Sequence, residues 1–248
     1  MEIDAFVQCC TLPGGNFAAP EARLITLLDC MQDVAGRHAD SLGAGVRTLM
    51  EKGLTWVLAR LHVRCAPLPP AGQNVHISTW PAGRKGVFAL REFRIADDED
   101  HEILRATSAW ILLNVAARRP VRLDPHLPVF TRHPGRMIED DFPTLPAPED
   151  GVPSPVFRAV STDIDINNHV NNTVYLDWAM RAVPAEIPTG HRLAVLEAAF
   201  LGEAFLNDEV FCRTQSMEQD EGTVLVQNLL DVNSGRELTR LRSRWKPN

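Results

Sequence analysis

Residues 20–43, PEARLITLLDCMQDVAGRHADSLG, and residues 55–64, TWVLARLHVR, decide the fold between them. Pro20-Glu21 is a good helix start, because proline's missing N–H costs nothing in the first turn. Leu24, Leu27, Leu28, Met31, Val34 and Ala35 follow at helical spacing, with Asp29, Gln32, Asp33 and Arg37 between them. One apolar stripe on a polar helix has to be buried against something. After Gly53 the period drops to two: Thr55, Val57, Ala59, Leu61 and Val63 alternate with Trp56, Arg60, His62 and Arg64, the pattern of a strand. Strand-like runs continue over 74–80, 86–95 and 102–115, separated by turn residues at 67–72, 81–83 and 97–100. The order is one long helix followed by four strands.

Downstream the rhythm breaks and then returns. Nine of the eighteen prolines fall between Pro120 and Pro155, which excludes a regular helix or a central strand there. A second helix is expected over 169–183, with Val170, Val174, Trp178 and Ala182 on one face. Strands are expected over 193–201, 208–216, 223–232 and 237–246. The halves also share letters. Ser108-Ala-Trp110 matches Ser243-Arg-Trp245, and Gly86 and Gly222 stand at similar distances before those tryptophans. A duplicated unit of one helix and an antiparallel run predicts an α+β chain of two tandem hot-dog domains. Each is a sheet wrapped around its own central helix, the pair forming a pseudo-dimer. The expected divisions are 1–117 for the N-terminal domain, 118–155 for a Pro-rich linker and 156–248 for the C-terminal domain.

The bulk numbers agree with an ordinary globular chain. Of 248 residues, 45% are hydrophobic and 23% charged, and the net charge of −7 argues against nucleic-acid binding. The odd set Cys9, Cys10, Cys30, Cys65 and Cys212 has no CxxC spacing and reads as free thiols. The N-terminus lacks the basic start of a signal peptide, and no apolar run is long enough to cross a bilayer. These features predict a cytoplasmic protein with no membrane partner, no cofactor and no metal. His169 has no second ligand at helical spacing.

Chemistry concentrates in Ser161-Thr-Asp-Ile-Asp-Ile-Asn-Asn-His-Val-Asn-Asn-Thr-Val-Tyr-Leu-Asp-Trp178. Asp163, Asp165, Asn167 and His169 stand immediately before the second helix. Asp and Asn at such a position are natural caps for the free first-turn N–H groups. The same N–H groups attract negative charge and can stabilise an oxyanion. Asn167 and His169 add further donors, and a histidine in a first turn would have its charged form disfavoured by the helix dipole. Capped helix start and catalytic helix start are both open on the residues alone.

The string Asp165-Ile-Asn167-Asn-His169-Val-Asn-Asn, with Tyr175 and Trp178 behind it, resembles the signature of acyl-carrier-protein thioesterases of plants and bacteria. Gly53-Leu-Thr-Trp56, Ser78-Thr-Trp80 and Ala106-Thr-Ser-Ala-Trp110 extend the resemblance to roughly residues 5–246. The resemblance implies that Asp165, Asn167 and His169 are catalytic, joined by a glutamate on a following strand that matches Glu203. Ala204 stands where the plant enzymes carry a cysteine, so a cysteine nucleophile finds no support. Glu203 would act as general base on a water. Asp165 would orient Asn167 or His169 and set the latter's tautomer. Which of Glu203, His169 and Asp165 takes the proton stays open. The first half has no such motif, only Asn16-Phe-Ala-Ala-Pro20. By resemblance it binds the acyl chain, with Leu27, Met31, Trp56, Leu58 and Trp80 as candidate lining residues, although for any single one of them an ordinary core position is the favoured reading. The implied partner is an acidic, acylated carrier protein. Arg240, Arg242, Arg244 and Lys246 alternate on one face of the last strand as a candidate docking stripe, with Arg84-Lys85 and Arg118-Arg119 as rivals. A coenzyme A thioesterase or a non-catalytic acyl-binding protein are the alternatives, and the chain is expected as a monomer or a homodimer.

Overall fold

The computed structural model describes residues 5–12, 20–70, 72–124, 126–127, 135–219 and 221–248, with side chains undescribed at 20–23. The chain divides into two compact units, 1–141 and 142–248, the division falling inside the proline-rich stretch. Among the described residues no helix is long and apolar enough to cross a membrane.

The first unit contains β1 (Phe6–Thr11), α1 (Pro20–Ser41), α2 (Val46–Met50), β2 (Leu54–Cys65), β3 (Asn74–Lys85), β4 (Phe88–Ala96), β5 (Glu102–Asn114) and β6 (Arg119–Pro120). Its antiparallel strands lie in the order β1-β3-β4-β5-β2, and β6 adds to β5. The stripe of α1 is buried at Leu24, Leu27, Leu28, Met31, Val34 and Ala35. Each large aliphatic side chain so buried contributes about 1.5–3 kcal/mol. The helix ends as Gly43 takes a positive φ of 68° and its N–H bonds to the Asp40 carbonyl. The six-residue edge strand β1 is too short and too mixed in polarity to announce itself in sequence. β3 runs on through Pro81, where the sequence reads as a turn, because a bulge between Pro81 and Gly83 absorbs the missing donor.

Alternation is lost in the middle of this sheet. Glu92 and Phe93 on β4, and Ala106 through Ala109 on β5, are all buried, so both faces are covered. The second cover comes from the proline-rich stretch. Trp80, Glu92, Thr107 and His62 are direct cross-strand partners on β3, β4, β5 and β2. The segment 135–140 binds this row in the same order. Trp80 Nε1 donates to the Gly135 carbonyl at 2.7 Å. Arg136 Nε donates to Glu92 Oε1 at 2.7 Å and its Nη2 to Thr107 Oγ1 at 2.9 Å. The Met137 N–H donates to Glu92 Oε2 at 2.9 Å, and His62 Nδ1 lies 2.7 Å from Asp140 Oδ2. Burial pushes the Glu92 carboxyl up, against the bonds from Thr107, Met137 and Arg136 that pull it down. Within the stretch expected as a linker, residues 135–140 therefore form a strap on the outer face of the sheet. His62 is one of its anchors. On β3, His76 pairs with Asp98 at 2.8 Å.

The second unit contains β7 (Val152–Pro153), β8 (Phe157–Arg158), a 3-10 turn over Ser161–Asp163, α3 (Asn172–Arg181), α4 (Glu186–Gly190), β9 (His191–Phe200), β10 (Glu209–Gln219), β11 (Gly222–Asp231) and β12 (Glu237–Pro247). Its strands lie in the order β9-β12-β11-β10-β7, with β8 also on β10. Both units thus carry a helix and an antiparallel sheet, and the shared letters have shared physical roles. Gly86 and Gly222 sit in equivalent hairpin turns with φ of 58° and 126°. A Cβ on Gly222 would come within 2.1 Å of the Trp245 carbonyl oxygen. The indole of Trp110 donates to Ser108 Oγ at 2.8 Å, and that of Trp245 to Ser243 Oγ at 3.0 Å.

Candidate active site

The second helix begins three residues later than its spacing predicts. Asn168 adopts a positive φ of 62°, which breaks helical continuity, and Asn171 caps α3 by accepting from the Thr173 N–H at 3.3 Å. His169 therefore precedes the helix, and the expected dipole effect on it loses its geometric basis. Residues 164–170 form a closed turn instead. Ile164 and Val170 bridge, the Asp165 N–H donates to the His169 carbonyl at 2.8 Å, and the Asn168 N–H to the Asp165 carbonyl at 3.0 Å.

Asp165 organises this turn through its carboxylate. Oδ1 accepts from the Asn167 N–H at 2.8 Å and from the His169 N–H at 3.3 Å, while Oδ2 accepts from Asn167 Nδ2 at 3.3 Å. Capping and positioning are thus one act: the carboxylate that satisfies the backbone also aims the amide of Asn167. The imidazole of His169 is oriented by other groups. Its Nδ1 lies 3.5 Å from Glu203 Oε1, and its ring meets Phe205 edge-on, with centroids 5.1 Å apart and planes at 84°. The carboxylate nearest the ring is Glu203, and Asp165 bonds to the His169 backbone N–H. His169 and Glu203 side chains are 26% and 27% exposed, enough for water and a substrate to reach both.

Glu203 lies beyond β9 in the irregular stretch 201–208, and its neighbours are held from several directions. Its carbonyl accepts from Arg236 Nη2 at 2.6 Å. The Ala204 N–H donates to the Tyr175 hydroxyl at 2.7 Å, and the Ala204 carbonyl accepts from the Val170 N–H at 2.9 Å. Sequence reading left Tyr175 without a role, placed Trp178 only on the apolar face of the helix, and missed Phe205 and Arg236 altogether. Arg236 is 33 residues from Glu203 along the chain, and nothing in its local sequence signals the contact.

The remaining candidates fall elsewhere. Leu27, Met31, Leu58 and Trp80 are buried in the first unit, and Trp56 is half-buried, its indole donating to the Ala44 carbonyl at 2.9 Å. The basic stripe on β12 is largely neutralised. Arg242 makes two bonds to Glu197, at 2.6 and 2.7 Å, Arg240 pairs with Glu237, and Lys246 lies 3.8 Å from Glu221. Arg244 is exposed. Arg84 and Lys85 pair with Asp124 and Asp141. His38 on α1 is 4% exposed, stacked on Phe6 with centroids 5.2 Å apart, and 3.2 Å from Arg91 Nη1.

Two successive helix-and-antiparallel-sheet units, with a polar turn before the second helix facing a glutamate after the next strand, define a tandem hot-dog protein. The chain belongs to the acyl-ACP thioesterase family: the family's N-terminal domain model matches residues 17–128 and its C-terminal domain model residues 154–247. It is similar to the chloroplastic palmitoyl-acyl carrier protein thioesterase of Gossypium hirsutum, with 29% identity over 91% of this chain and 60% of that protein. It is also similar to the chloroplastic oleoyl-acyl carrier protein thioesterase 1 of Arabidopsis thaliana, with 27% identity over 82% of this chain and 61% of that one. The chain thus spans about 60% of the length of these curated relatives. Among solved structures, an acyl-ACP thioesterase from Bacteroides thetaiotaomicron shares the fold, with a TM-score of 0.85, 22% identity and 98% of both chains covered. The 12:0-ACP thioesterase of Umbellularia californica does so with a TM-score of 0.82, 21% identity and 98% of both chains covered.

Proposed function

We propose that this protein hydrolyses fatty acyl thioesters carried on acyl carrier protein, releasing the free fatty acid. The observation that carries the proposal is the opposition of Glu203 to His169, the latter held in a turn organised by Asp165, in a chain of this family. A water beside Glu203 gives up a proton to the carboxylate as its oxygen attacks the thioester carbonyl carbon. The carbonyl oxygen gains negative charge, and N–H donors aimed at it, the Asn167 amide being the first candidate, stabilise it. The C–S bond then breaks and the carrier's thiol leaves with a proton returned through Glu203 or His169. His169, with its ring between Glu203 and Phe205, assists by holding the water and exchanging protons with the glutamate.

In this reading the first unit receives the acyl chain, with Leu27, Met31, Trp56 and Leu58 contributing apolar surface; Trp80, expected with them, lies under the strap on the opposite face of the sheet. The carrier is an acidic partner, and Arg244 is the part of the β12 stripe that faces it as a cation. Five free cysteines fit a cytoplasmic setting. Thiol release should be measured on acyl-carrier-protein and acyl-coenzyme A substrates, with wild type beside Glu203→Ala and His169→Ala. The expected result is turnover favouring the carrier protein, reduced at least about 100-fold in both variants. Equal turnover on coenzyme A would move the assignment to a coenzyme A thioesterase. Binding of acyl ligands without hydrolysis would leave an acyl-binding protein.

A further inference from the structure

The segment that presents Glu203 is not part of a helix or strand, yet its backbone is hydrogen-bonded at three consecutive residues. Four bonds hold three consecutive residues. The Glu203 carbonyl accepts from Arg236, the Ala204 N–H donates to Tyr175, the Ala204 carbonyl accepts from the Val170 N–H, and the Phe205 N–H donates to Asp208 Oδ2 at 2.8 Å. These partners come from the β11–β12 connection, the second turn of α3, the motif turn itself and the segment's own end. Ala204 is fully buried, so its N–H has no water to turn to if Tyr175 withdraws. Tyr175 is itself buried, wedged edge-on between Trp178 and Phe200 with centroids 5.7 and 6.4 Å away. Its phenol is pushed up by burial and stays protonated at any working pH. It therefore acts on Glu203 as a fixed acceptor for the neighbouring amide, not as an acid or base.

We infer that Tyr175 and Arg236 are positioning residues for Glu203, fixing from opposite sides the backbone that sets its carboxylate against His169. The inference rests on the reading of Glu203 as the general base. The geometry leaves little tolerance: Glu203 Oε1 is already 3.5 Å from His169 Nδ1, and a shift of about 1 Å in a catalytic group can cost on the order of 100-fold in rate.

A double-mutant cycle on kcat and KM tests this, using Tyr175→Phe, Glu203→Gln and the two combined, with acyl-carrier-protein substrate. Tyr175→Phe is expected to lower kcat about 10-fold or more with KM within twofold, and to cost nothing further in the Glu203→Gln background. An equal loss in both backgrounds, or a Tyr175→Phe enzyme within twofold of wild type beside an inactive Glu203→Gln, overturns the inference and leaves the general-base reading standing. Full activity in Glu203→Gln overturns that reading, and the inference with it. Should Tyr175→Phe fold poorly, Arg236→Ala carries the same expectation. Arg236 lies on the surface, so its replacement removes the bond to the Glu203 carbonyl without opening the core.

Discussion

At the scale of single residues, the site separates what a side chain is from what its surroundings make it do. Asp165 and Glu203 are both carboxylates. One spends its oxygens on the backbone and amide of its own turn, and the other faces an imidazole and solvent. His169 and His38 are equally divergent. Burial first, and the neighbouring Arg91 second, bring His38 down from 6.5 to about 4. An unfolded chain binds a proton at this histidine near pH 6.5, whereas the folded chain resists it until near pH 4. Between those values the unfolded state holds more protons, so acid favours unfolding. The expected loss from this group is at most about 3 kcal/mol, complete below pH 4. His38→Gln, which keeps an acceptor for Arg91, should flatten that part of the profile in denaturant unfolding between pH 7 and 4. An unchanged slope would mean that other groups set the acid limit. The residue types of the site were legible in sequence, since D-x-N-x-H packs three polar side chains into one turn. Their division of labour was not. The positive φ of Asn168 moves the helix start by three residues, and an asparagine announces that conformation only as a tolerance.

At the scale of elements, period carried the sequence reading wherever one face was buried. The 3.6-residue stripe from Leu24 to Ala35 and the strand runs of both halves appear in the structure close to their expected bounds. Period failed where a second cover arrived from far away. Glu92 is a charged residue in a strand and reads as solvent-facing, but Arg136, 44 residues on, buries it. Buried ion pairs contribute little net stability when intact and cost about 3–5 kcal/mol when one partner is removed. Arg136→Ala should therefore lower the urea midpoint of the first unit substantially. Glu92→Leu combined with Arg136→Met, which removes both charges, should recover most of the loss. If the single and double variants unfold alike, the pair is not what secures the strap.

At the scale of the whole molecule, the net charge of −7 and the pairing of the β12 stripe bear on how a carrier approaches. Arg240 and Arg242 hold carboxylates of their own unit, so their fields largely cancel beyond a few ångströms. Under the proposed function, an acidic carrier meets a chain of net charge −7, and salt should help rather than hinder. Raising ionic strength from about 20 mM to about 150 mM, which shortens the screening length below 10 Å, is expected to raise kcat/KM on the carrier-linked substrate. A neutral pantetheine thioester should respond little. A fall with salt would show that uncompensated cations steer the partner after all.

The strap also acts as a ruler. From Glu92 to His62 its partners span two inter-strand steps, about 10 Å, while residues 136 to 140 reach at most about 14 Å when fully extended. About 4 Å is left over, the reach of roughly one residue, and the chain takes it up in a bend at Met137 and Ile138. The letters between Arg136 and Asp140 are loosely set, but their number has a lower bound. Loss of one residue would draw the segment nearly straight, and loss of two would force it to abandon either the buried glutamate or the histidine. A proline-rich connection that looks like the most expendable part of the sequence is thus, in this short stretch, held to a minimum length.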